Sequence, residues 1–210
     1  MRDDRLRGFH GGVGSLSPQE MLGRDYTDRD HSMAEAKHAI AERALSIVGP
    51  NEVIALDAGT TATQLAALLP KDQGTRVVTH SFSAVSVLAG LTGIEVNCLG
   101  GDLHYDSLSF AGPSTLAAIS NLQIETMFLA ASGLNERGAF CATGFDAITK
   151  RALIEVSAHL VLIADSSKFG IPAMVKVCGW DVIDTVIIDA GITSEQQDML
   201  VQAGVAVQIV

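Results

Sequence analysis

A chain of 210 residues is long enough for one domain with a sizeable core, and its hydrophobic content of 48% is typical of a compact globule. The net charge is −10, and residues 51–210 hold sixteen Asp/Glu against seven Lys/Arg. Such an acidic chain lacks the basic face that neutralises nucleic-acid phosphates, so we expect it not to bind DNA by itself.

The apolar runs and the cysteines exclude further classes of protein. No apolar run reaches 18 residues, and the charged first five residues are unlike a signal peptide. Three widely separated cysteines fit neither a disulfide framework nor a zinc motif, and no two histidines have the spacing of a metal site. We therefore expect a reduced, cytoplasmic protein with no metal and no other cofactor.

The first thirty residues differ from the rest in composition. They are polar and repeatedly interrupted by glycine, which predicts an extended arm (residues 1–30) in front of a folded domain (residues 31–210). An amphipathic helix is predicted from Ser32 to Val48, and Ser32 and Glu35 have the spacing of a capping box.

The most informative stretch is residues 53–69. An apolar run too short for a helix comes first, apolar residues at helical spacing come last, and small polar residues lie between them. This pattern predicts a strand, a tight turn at Asp57 and a helix capped by Thr60 or Thr61. Gly59 is expected to adopt backbone angles that a side chain would forbid and to let a ligand approach closely.

The start of that helix is a candidate anion site. The free N–H groups of its first turn and the helix dipole favour a negative group, most plausibly a phosphate. An ordinary capped turn without a ligand is the alternative interpretation of the same residues.

Strands and helices alternate in the remainder of the chain. Two segments, 102–111 and 131–144, are predicted to be irregular. Continuous apolar strands alternating with helices are typical of a parallel sheet covered on both faces, so the predicted class is α/β. Strands are predicted at 76–81, 94–99, 125–130, 159–164, 174–177, 185–189 and 205–210, and helices at 82–91, 112–121, 146–158 and from residue 194.

Small polar residues and glycines follow five of these strands. Ligands in such folds bind beyond the carboxyl ends of the strands, so these residues predict a small-molecule pocket. The residues at these strand ends are Asp57, Gly59, Thr60, Thr61, Thr79, His80, Ser81, Gly100, Gly101, Ser132, Gly133, Asp165, Ser166, Ser167 and Lys168.

Lys168 is a positive charge just after a buried strand, in a part of the chain with few bases. We expect it to neutralise the phosphate, beside the hydroxyl donors of Ser166 and Ser167, instead of forming a surface pair with Asp165. Asp57 is expected to accept hydrogen bonds from the hydroxyl groups of a sugar. For Asp165 the sequence leaves both a ligand contact and a capping role open.

Several other polar residues have two interpretations each. His80 either contacts a ligand or simply precedes a helix capped by Ser81. Lys150 faces either the pocket or the solvent, and the loop around His104 either forms a lid or is structural. No serine lies in a Gly-x-Ser-x-Gly elbow, so no serine nucleophile is predicted.

Four short motifs, in their order along the chain, resemble those of DeoR-family bacterial transcription regulators. They are LDAGTT at 56–61, VTHS at 78–81, LGG at 99–101 and ADSSKFG at 164–170. Two earlier stretches, RGFHGGV at 7–13 and EAKHAIA at 35–41, resemble the segment that follows the family's winged helix-turn-helix and the helix before its first strand. Over nearly its whole length the chain is therefore similar to the family's C-terminal effector-sensing domain.

The resemblance implies a Rossmann-like parallel sheet flanked by helices, similar to the folds of ribose 5-phosphate isomerase and glucosamine-phosphate deaminase. His80 departs from the Asn that is common in the family, which is expected to alter which hydroxyl is recognised. The resemblance assigns the phosphate to Gly59, Thr60, Thr61 and Lys168, and other effector contacts to Asp57, Thr79, Ser81, Gly100, Gly101 and Asp165.

The function that the resemblance implies is the sensing of a phosphorylated sugar, or a related metabolite, to control DNA binding. DNA contact would require a helix-turn-helix, which the six residues before Arg7 cannot supply. The sequence alone leaves open an excised fragment, a misassigned start and a natural sensor-only paralogue. The helix at 32–48 and the apolar terminus at 205–210 suggest burial against another copy of the chain.

An active sugar-phosphate isomerase is the alternative function. Isomerisation needs a positioned base, typically a carboxylate, and the isomerases to which the fold is similar carry it in an Asp-Gly-Ala-Asp-Glu loop. The corresponding loop here, residues 131–136 (ASGLNE), lacks the aspartates and leaves Glu136 beyond the motif. We therefore expect a sensor without enzymatic activity.

Overall fold

The computed structural model describes residues 6–9, 12–15 and 24–210, and its centre is a seven-stranded sheet. The strands are β3 (Val53–Leu56), β4 (Arg76–Thr79), β5 (Glu95–Cys98), β8 (Ile124–Leu129), β11 (Ser157–Ile163), β13 (Thr185–Ile188) and β14 (Ala206–Ile209). Their order across the sheet is β5-β4-β3-β8-β11-β13-β14, and every neighbouring pair is parallel. The predicted α/β class is confirmed.

Helices cover both faces of this sheet. Residues of β8 show why two cores form: Met127 and Leu129 point into one buried cluster, while Phe128 between them belongs to the other. One face carries α2 (Ala34–Leu45), α3 (Thr60–Leu68) and α4 (Phe82–Leu88), and the other carries α5 (Pro113–Ile119), α6 (Gly144–Glu155) and α7 (Ser194–Gln202). Among the described residues, no helix combines the length and apolarity needed to cross a membrane.

The two segments predicted to be irregular contain short antiparallel strands. β6 (Asp102–His104) and β7 (Ser109–Ala111) form a hairpin. A three-stranded sheet combines β9 (Gly133–Asn135) and β10 (Gly138–Cys141) with β12 (Val175–Cys178), which the sequence analysis did not separate from the main sheet. The missed strands β6, β7, β9 and β10 mix polar residues or glycine with apolar ones, so they lack the continuous apolar runs that identified the strands of the main sheet.

Secondary structure forms in the described parts of the segment that was predicted to be an arm. β1 (Leu6–Phe9) pairs with β2 (Gly12–Ser15), and α1 (Arg24–His31) follows. The Tyr26 side chain in α1 is buried, and its hydroxyl donates a hydrogen bond to Thr63 Oγ1 at 2.7 Å. The rest of the segment predicted as an arm, including His10 and Gly11, lies outside the described residues, and the domain boundary at residue 30 stays a prediction.

The predicted capping box at the start of α2 is wrong. The residue before the helix is Met33, which has left-handed backbone angles (φ 55°), and no side chain caps the helix. α2 buries Ile40, Ala41 and Ala44 in the core of its own domain. Its apolar face therefore needs no second copy to cover it, contrary to what the sequence suggested.

The chain reverses direction across the sheet between β3 and β8. After β3 the chain passes through α3 to β4 on one side, whereas after β8 it continues to β11 on the other. Two loops therefore leave neighbouring strands in opposite directions and open a crevice at their carboxyl ends. This is the place in a parallel α/β sheet where a ligand site is expected.

Candidate functional site

A cavity of about 660 Å³ opens at this crevice, within the size range of small-molecule sites. Its floor is formed by the turns after β3, β8 and β11, which is where the sequence predicted a pocket. The start of α6 and the 3₁₀ turn Ser166–Gly170 supply further wall, and α1 and the β6–β7 turn close one side. Five of the predicted strand-end residues line it: Gly59, Thr60, Thr61, Ser132 and Lys168.

The N-terminus of α3 opens directly onto the cavity. The helix begins at Thr60, its N-cap is Gly59, and no side chain caps it. Thr60 and Thr61 lie inside the first turn, so the prediction that one of them caps the helix is wrong. The N–H groups of a first helical turn lack intrahelical acceptors and carry the positive end of the helix dipole. An anion in the cavity would accept hydrogen bonds from these N–H groups and interact favourably with the dipole.

Gly59 is required for a different reason from the one predicted. Its φ of 167° is an ordinary extended angle that any residue adopts. A Cβ on Gly59, however, would lie 2.8 Å from the Cβ of Ala130, closer than van der Waals contact permits. The glycine therefore allows the turns after β3 and β8 to touch.

Lys168 lines the cavity from the 3₁₀ turn after β11. Its side chain is 16% exposed, and its Nζ lies 3.6 Å from Oδ2 of the fully buried Asp165. Ser166 Oγ donates to Asp189 Oδ2 at 2.9 Å, and Ser167 Oγ donates to Asp165 Oδ1. These two hydroxyls are thus engaged within the protein and do not assist Lys168 as the sequence suggested.

Asp57 is fully buried beneath the cavity and has protein partners for both oxygens. Oδ1 accepts from the Ala58 N–H at 2.8 Å, and Oδ2 accepts from the Ala130 N–H at 2.8 Å and from Lys150 Nζ. These contacts connect the ends of β3 and β8 to α6. They take the place of the predicted hydrogen bonds to sugar hydroxyls.

Lys150 faces the cavity, which settles the alternative that the sequence left open. It is buried, donates to Asp57 and to the Ala130 carbonyl at 3.2 Å, and lies 3.6 Å from Asp146 Oδ1. Burial alone would lower the pKa of the Lys150 ammonium, but the Asp146 and Asp57 carboxylates outweigh burial and raise that pKa well above its usual value. Lys150 is therefore a permanent cation.

A metal ion is a second possible partner for these acidic groups. Ligand atoms of Asp57, His80 and Asp146 lie within 4.8 Å of one another. The Lys150 ammonium, however, already contacts Asp57 and faces Asp146 at 3.6 Å. Because this ammonium supplies the positive charge that the two carboxylates need, the residues fit a buried lysine better than a metal.

His80 lies beside this ion pair and is 1% exposed. Its Nε2 is 3.5 Å from Asp57 Oδ1, and neither ring nitrogen has a hydrogen-bond partner among the described residues. Burial, followed by repulsion from Lys150, lowers the pKa of the imidazole to about 4. The ring is therefore neutral in the folded protein at pH 7.

Four other predicted site residues do not line this cavity. Thr79 Oγ1 donates to the Leu56 carbonyl at 2.7 Å, and Ser81 Oγ caps α4 by accepting from the Ala84 N–H at 3.1 Å. The Gly100 carbonyl accepts from Thr115 Oγ1 at 2.7 Å, and Gly101 has left-handed angles (φ 121°). These contacts are structural, and a role for the four residues in effector binding stays a prediction.

Two basic residues near the N-terminus also line the cavity and were not predicted. The buried Lys37 Nζ donates to the carbonyls of Arg29 and, at 2.6 Å, Ser32. Burial lowers the pKa of Lys37, and the nearby Asp165 carboxylate opposes that shift. Arg29 Nη2 donates to the Asp106 carbonyl at 3.1 Å. Lys37 lies in one of the motifs noted above, but nothing in the sequence places its helix beside the pocket.

Residues 32–190 match the family model of the DeoR C-terminal sensor domain. The chain belongs to the DeoR family. This confirms the resemblance drawn from the four motifs, and it identifies the α/β domain as the sensor domain of a DeoR-type regulator.

Curated relatives of this chain are transcription regulators. It is 31% identical to an uncharacterized helix-turn-helix regulator of Bacillus subtilis, aligned over 91% of this chain and 74% of that protein. It is 30% identical to the L-fucose operon activator of Haemophilus influenzae over 91% and 77% of the two chains. It is 29% identical to the glycerol-3-phosphate regulon repressor of Escherichia coli over 86% and 71%.

Solved structures with a similar fold include ribose 5-phosphate isomerases. The isomerase of Methanocaldococcus jannaschii has a TM-score of 0.49 and 18% identity, over 66% of this chain and 55% of the isomerase. The enzyme of Neisseria gonorrhoeae has a TM-score of 0.48 and 21% identity, over 67% and 54%.

The buried neutral His80 predicts a pH-dependent stability. Between pH 6.5 and about 4 the unfolded chain binds a proton at this residue that the folded chain does not, so the free energy of unfolding falls as the pH is lowered. The expected loss is about 3 kcal/mol, because each unit of pKa difference corresponds to about 1.4 kcal/mol. Denaturant unfolding at a series of pH values should show a flatter dependence for His80→Asn than for the wild type.

His38→Asn provides the matched control, because it removes an exposed histidine instead of the buried one. Parallel curves for wild type and His80→Asn would contradict a buried neutral imidazole.

Proposed function

We propose that the cavity binds the phosphate group of a phosphorylated sugar or a related metabolite, and that its occupancy controls DNA binding. The observation that carries this proposal is the uncapped N-terminus of α3, which opens on a cavity that Lys168 also lines. A helix N-terminus and a lysine ammonium together are suited to a compact dianion.

Basic groups are concentrated at the cavity. Although the chain has a net charge of −10, four basic side chains line the cavity among the described residues: Arg29, Lys37, Lys150 and Lys168. Asp28, Asp106 and Asp146 also line it, and Asp57 and Asp165 lie beneath it, so the support for an anion is local and comes from the N-terminus of α3 and Lys168. The acidic remainder of the surface would repel nucleic acid, so a separate helix-turn-helix would make the contact with DNA.

The names of the relatives support the class of effector. One relative is a repressor of a glycerol-3-phosphate regulon and another is an activator of a fucose operon. A three-carbon phosphate and a six-carbon sugar pathway differ in the carbon skeleton that a sensor must accommodate. The features of this cavity explain the binding of a phosphate group, and they do not specify the carbon skeleton attached to it.

Lys168→Met tests the anion site. Losing a charge-assisted hydrogen bond should weaken binding of inorganic phosphate and of phosphorylated sugars by roughly 1.5–3 kcal/mol. Isothermal titration calorimetry on the folded variant measures this, and Lys168→Arg should retain most of the affinity.

Lys71→Met is the matched control, because Lys71 is exposed and does not line the cavity. Equal affinities for wild type and Lys168→Met would remove Lys168 from the site.

We propose further that the domain is a sensor and not an enzyme. Glu136, the carboxylate nearest in sequence to the isomerase motif, is exposed in the β9–β10 turn and does not line the cavity. Asp57 is buried beneath the cavity and accepts hydrogen bonds from three protein donors. Neither is placed to move a proton between substrate carbons.

Incubation with ribose 5-phosphate, fructose 6-phosphate and glucosamine 6-phosphate, followed by chromatography of the products, should therefore show no turnover above a buffer blank. Turnover that disappears in a variant of Glu136 or Asp146 would establish the isomerase alternative instead.

Self-association is proposed along the β14 edge of the sheet. Ile209 on this strand is 43% exposed, and Val201 on the adjacent α7 is 58% exposed. An exposed apolar edge strand is suited to pairing with a second copy.

Multi-angle light scattering should give a mass at least twice that of one chain. Ile209→Lys should lower that mass, because a charged side chain on the edge strand disfavours pairing. A monomer at all concentrations would refute the proposal.

A further inference from the structure

Asp146 has one oxygen that the protein leaves without a hydrogen bond. The residue lies in the first turn of α6, lines the cavity and is 13% exposed at its side chain. Its Oδ1 is buried, and no described residue donates a hydrogen bond to it. Leaving a buried carboxylate oxygen unsatisfied is costly, so a donor from outside the protein is expected at this atom.

Lys150 offers a complementary group at the same place. A lysine ammonium has three donors, and two of them are used by Asp57 and by the Ala130 carbonyl. The third has no hydrogen-bond acceptor within reach among the described residues, since Asp146 Oδ1 lies 3.6 Å away. An unsatisfied donor and an unsatisfied acceptor thus face each other across a gap too long for a direct hydrogen bond.

A hydroxyl group placed beside this pair, to one side of the line that joins the two atoms, could satisfy both. Its oxygen, about 2.8 Å from each partner, can accept from Lys150 Nζ and donate to Asp146 Oδ1 at the same time. An ammonium group would be repelled by Lys150, and a second anionic group would be repelled by Asp146. The pair therefore distinguishes a hydroxyl from either kind of charged substituent.

The pair also lies close to the anion site. Lys150 contacts Asp57, which directly precedes the Ala58–Gly59 turn into α3. Thr143 Oγ1 accepts from the Asp146 N–H at 3.4 Å and fixes the start of α6. The hydroxyl site is thus held rigidly beside the turn at which the phosphate is proposed to bind.

We propose that Asp146 and Lys150 form a hydroxyl-recognition site that selects a polyol phosphate over a phosphate ester with no hydroxyl group. This inference rests on the proposed anion site, because the phosphate positions the carbon chain whose hydroxyl is recognised. Asp146 is the specificity-determining residue, and Lys150 both orients it and holds the floor of the cavity together.

The test compares ligands that share the phosphate but differ in the hydroxyl groups. The probes are inorganic phosphate, propyl phosphate, glycerol 3-phosphate, ribose 5-phosphate and fructose 6-phosphate, titrated by calorimetry into wild type, Asp146→Asn and Asp146→Ala. At least one polyol phosphate should bind wild type about tenfold or more tighter than propyl phosphate, the effect of one charge-assisted hydrogen bond. Asp146→Ala should abolish this preference and leave propyl phosphate within about twofold.

Asp146→Asn has nearly the same shape and provides a second variant if the alanine variant is poorly folded. It should retain only part of the preference, because its amide oxygen is a weaker acceptor than a carboxylate. Asp198→Ala, at an exposed position of α7, is the control and should bind all five probes as wild type does.

The outcomes separate the two proposals. If wild type binds none of the five phosphates, the proposed anion site is wrong and this inference falls with it. If phosphates bind but no polyol phosphate is preferred, or the preference survives in both Asp146 variants, the hydroxyl site is wrong while the anion site stands.

Discussion

The buried ion pair between Asp57 and Lys150 is the interaction on which the cavity depends. Two charges removed from water are costly unless both are fully hydrogen-bonded, and removing one partner of such a pair typically costs about 3–5 kcal/mol. Here the Ala58 and Ala130 N–H groups complete the carboxylate, and the Ala130 carbonyl accepts from the ammonium. The pair thereby fixes the ends of β3 and β8 and the first turns of α6 as one unit.

That same pair explains why the site is only partly predictable from sequence. A polar residue after each apolar strand identifies the floor of a parallel-sheet pocket, because all the carboxyl ends lie on one edge. Gly59, Thr60, Thr61 and Lys168 were found in this way. The contact of Asp57 with Lys150 was not predicted because the two residues lie 93 positions apart in sequence, and no local pattern indicates such a pairing.

The walls of the cavity were harder to predict than its floor. They come from α1, from Lys37 on α2 and from the β6–β7 hairpin. Hydrogen bonds to backbone carbonyls join these elements: Arg29 donates to the carbonyl of Asp106, and Lys37 donates to the carbonyl of Arg29. Backbone carbonyls are present at every residue, so the sequence does not show which of them will accept from a lysine or arginine. The apolar strands of the main sheet and the helices that cover it were predicted to within a few residues, whereas the more polar antiparallel strands β6, β7, β9 and β10 were not.

α1 forms part of the wall of the cavity through Asp28 and Arg29. α1 is almost entirely polar, and its position depends on Tyr26, on Arg29 and on the Lys37 ammonium that binds its last turn. Met33, between α1 and α2, has left-handed angles that cost a non-glycine residue about 1–2 kcal/mol. Asp28 and Arg29 on this helix line the cavity, so contacts from a bound ligand to either residue would add to those that hold α1 in place.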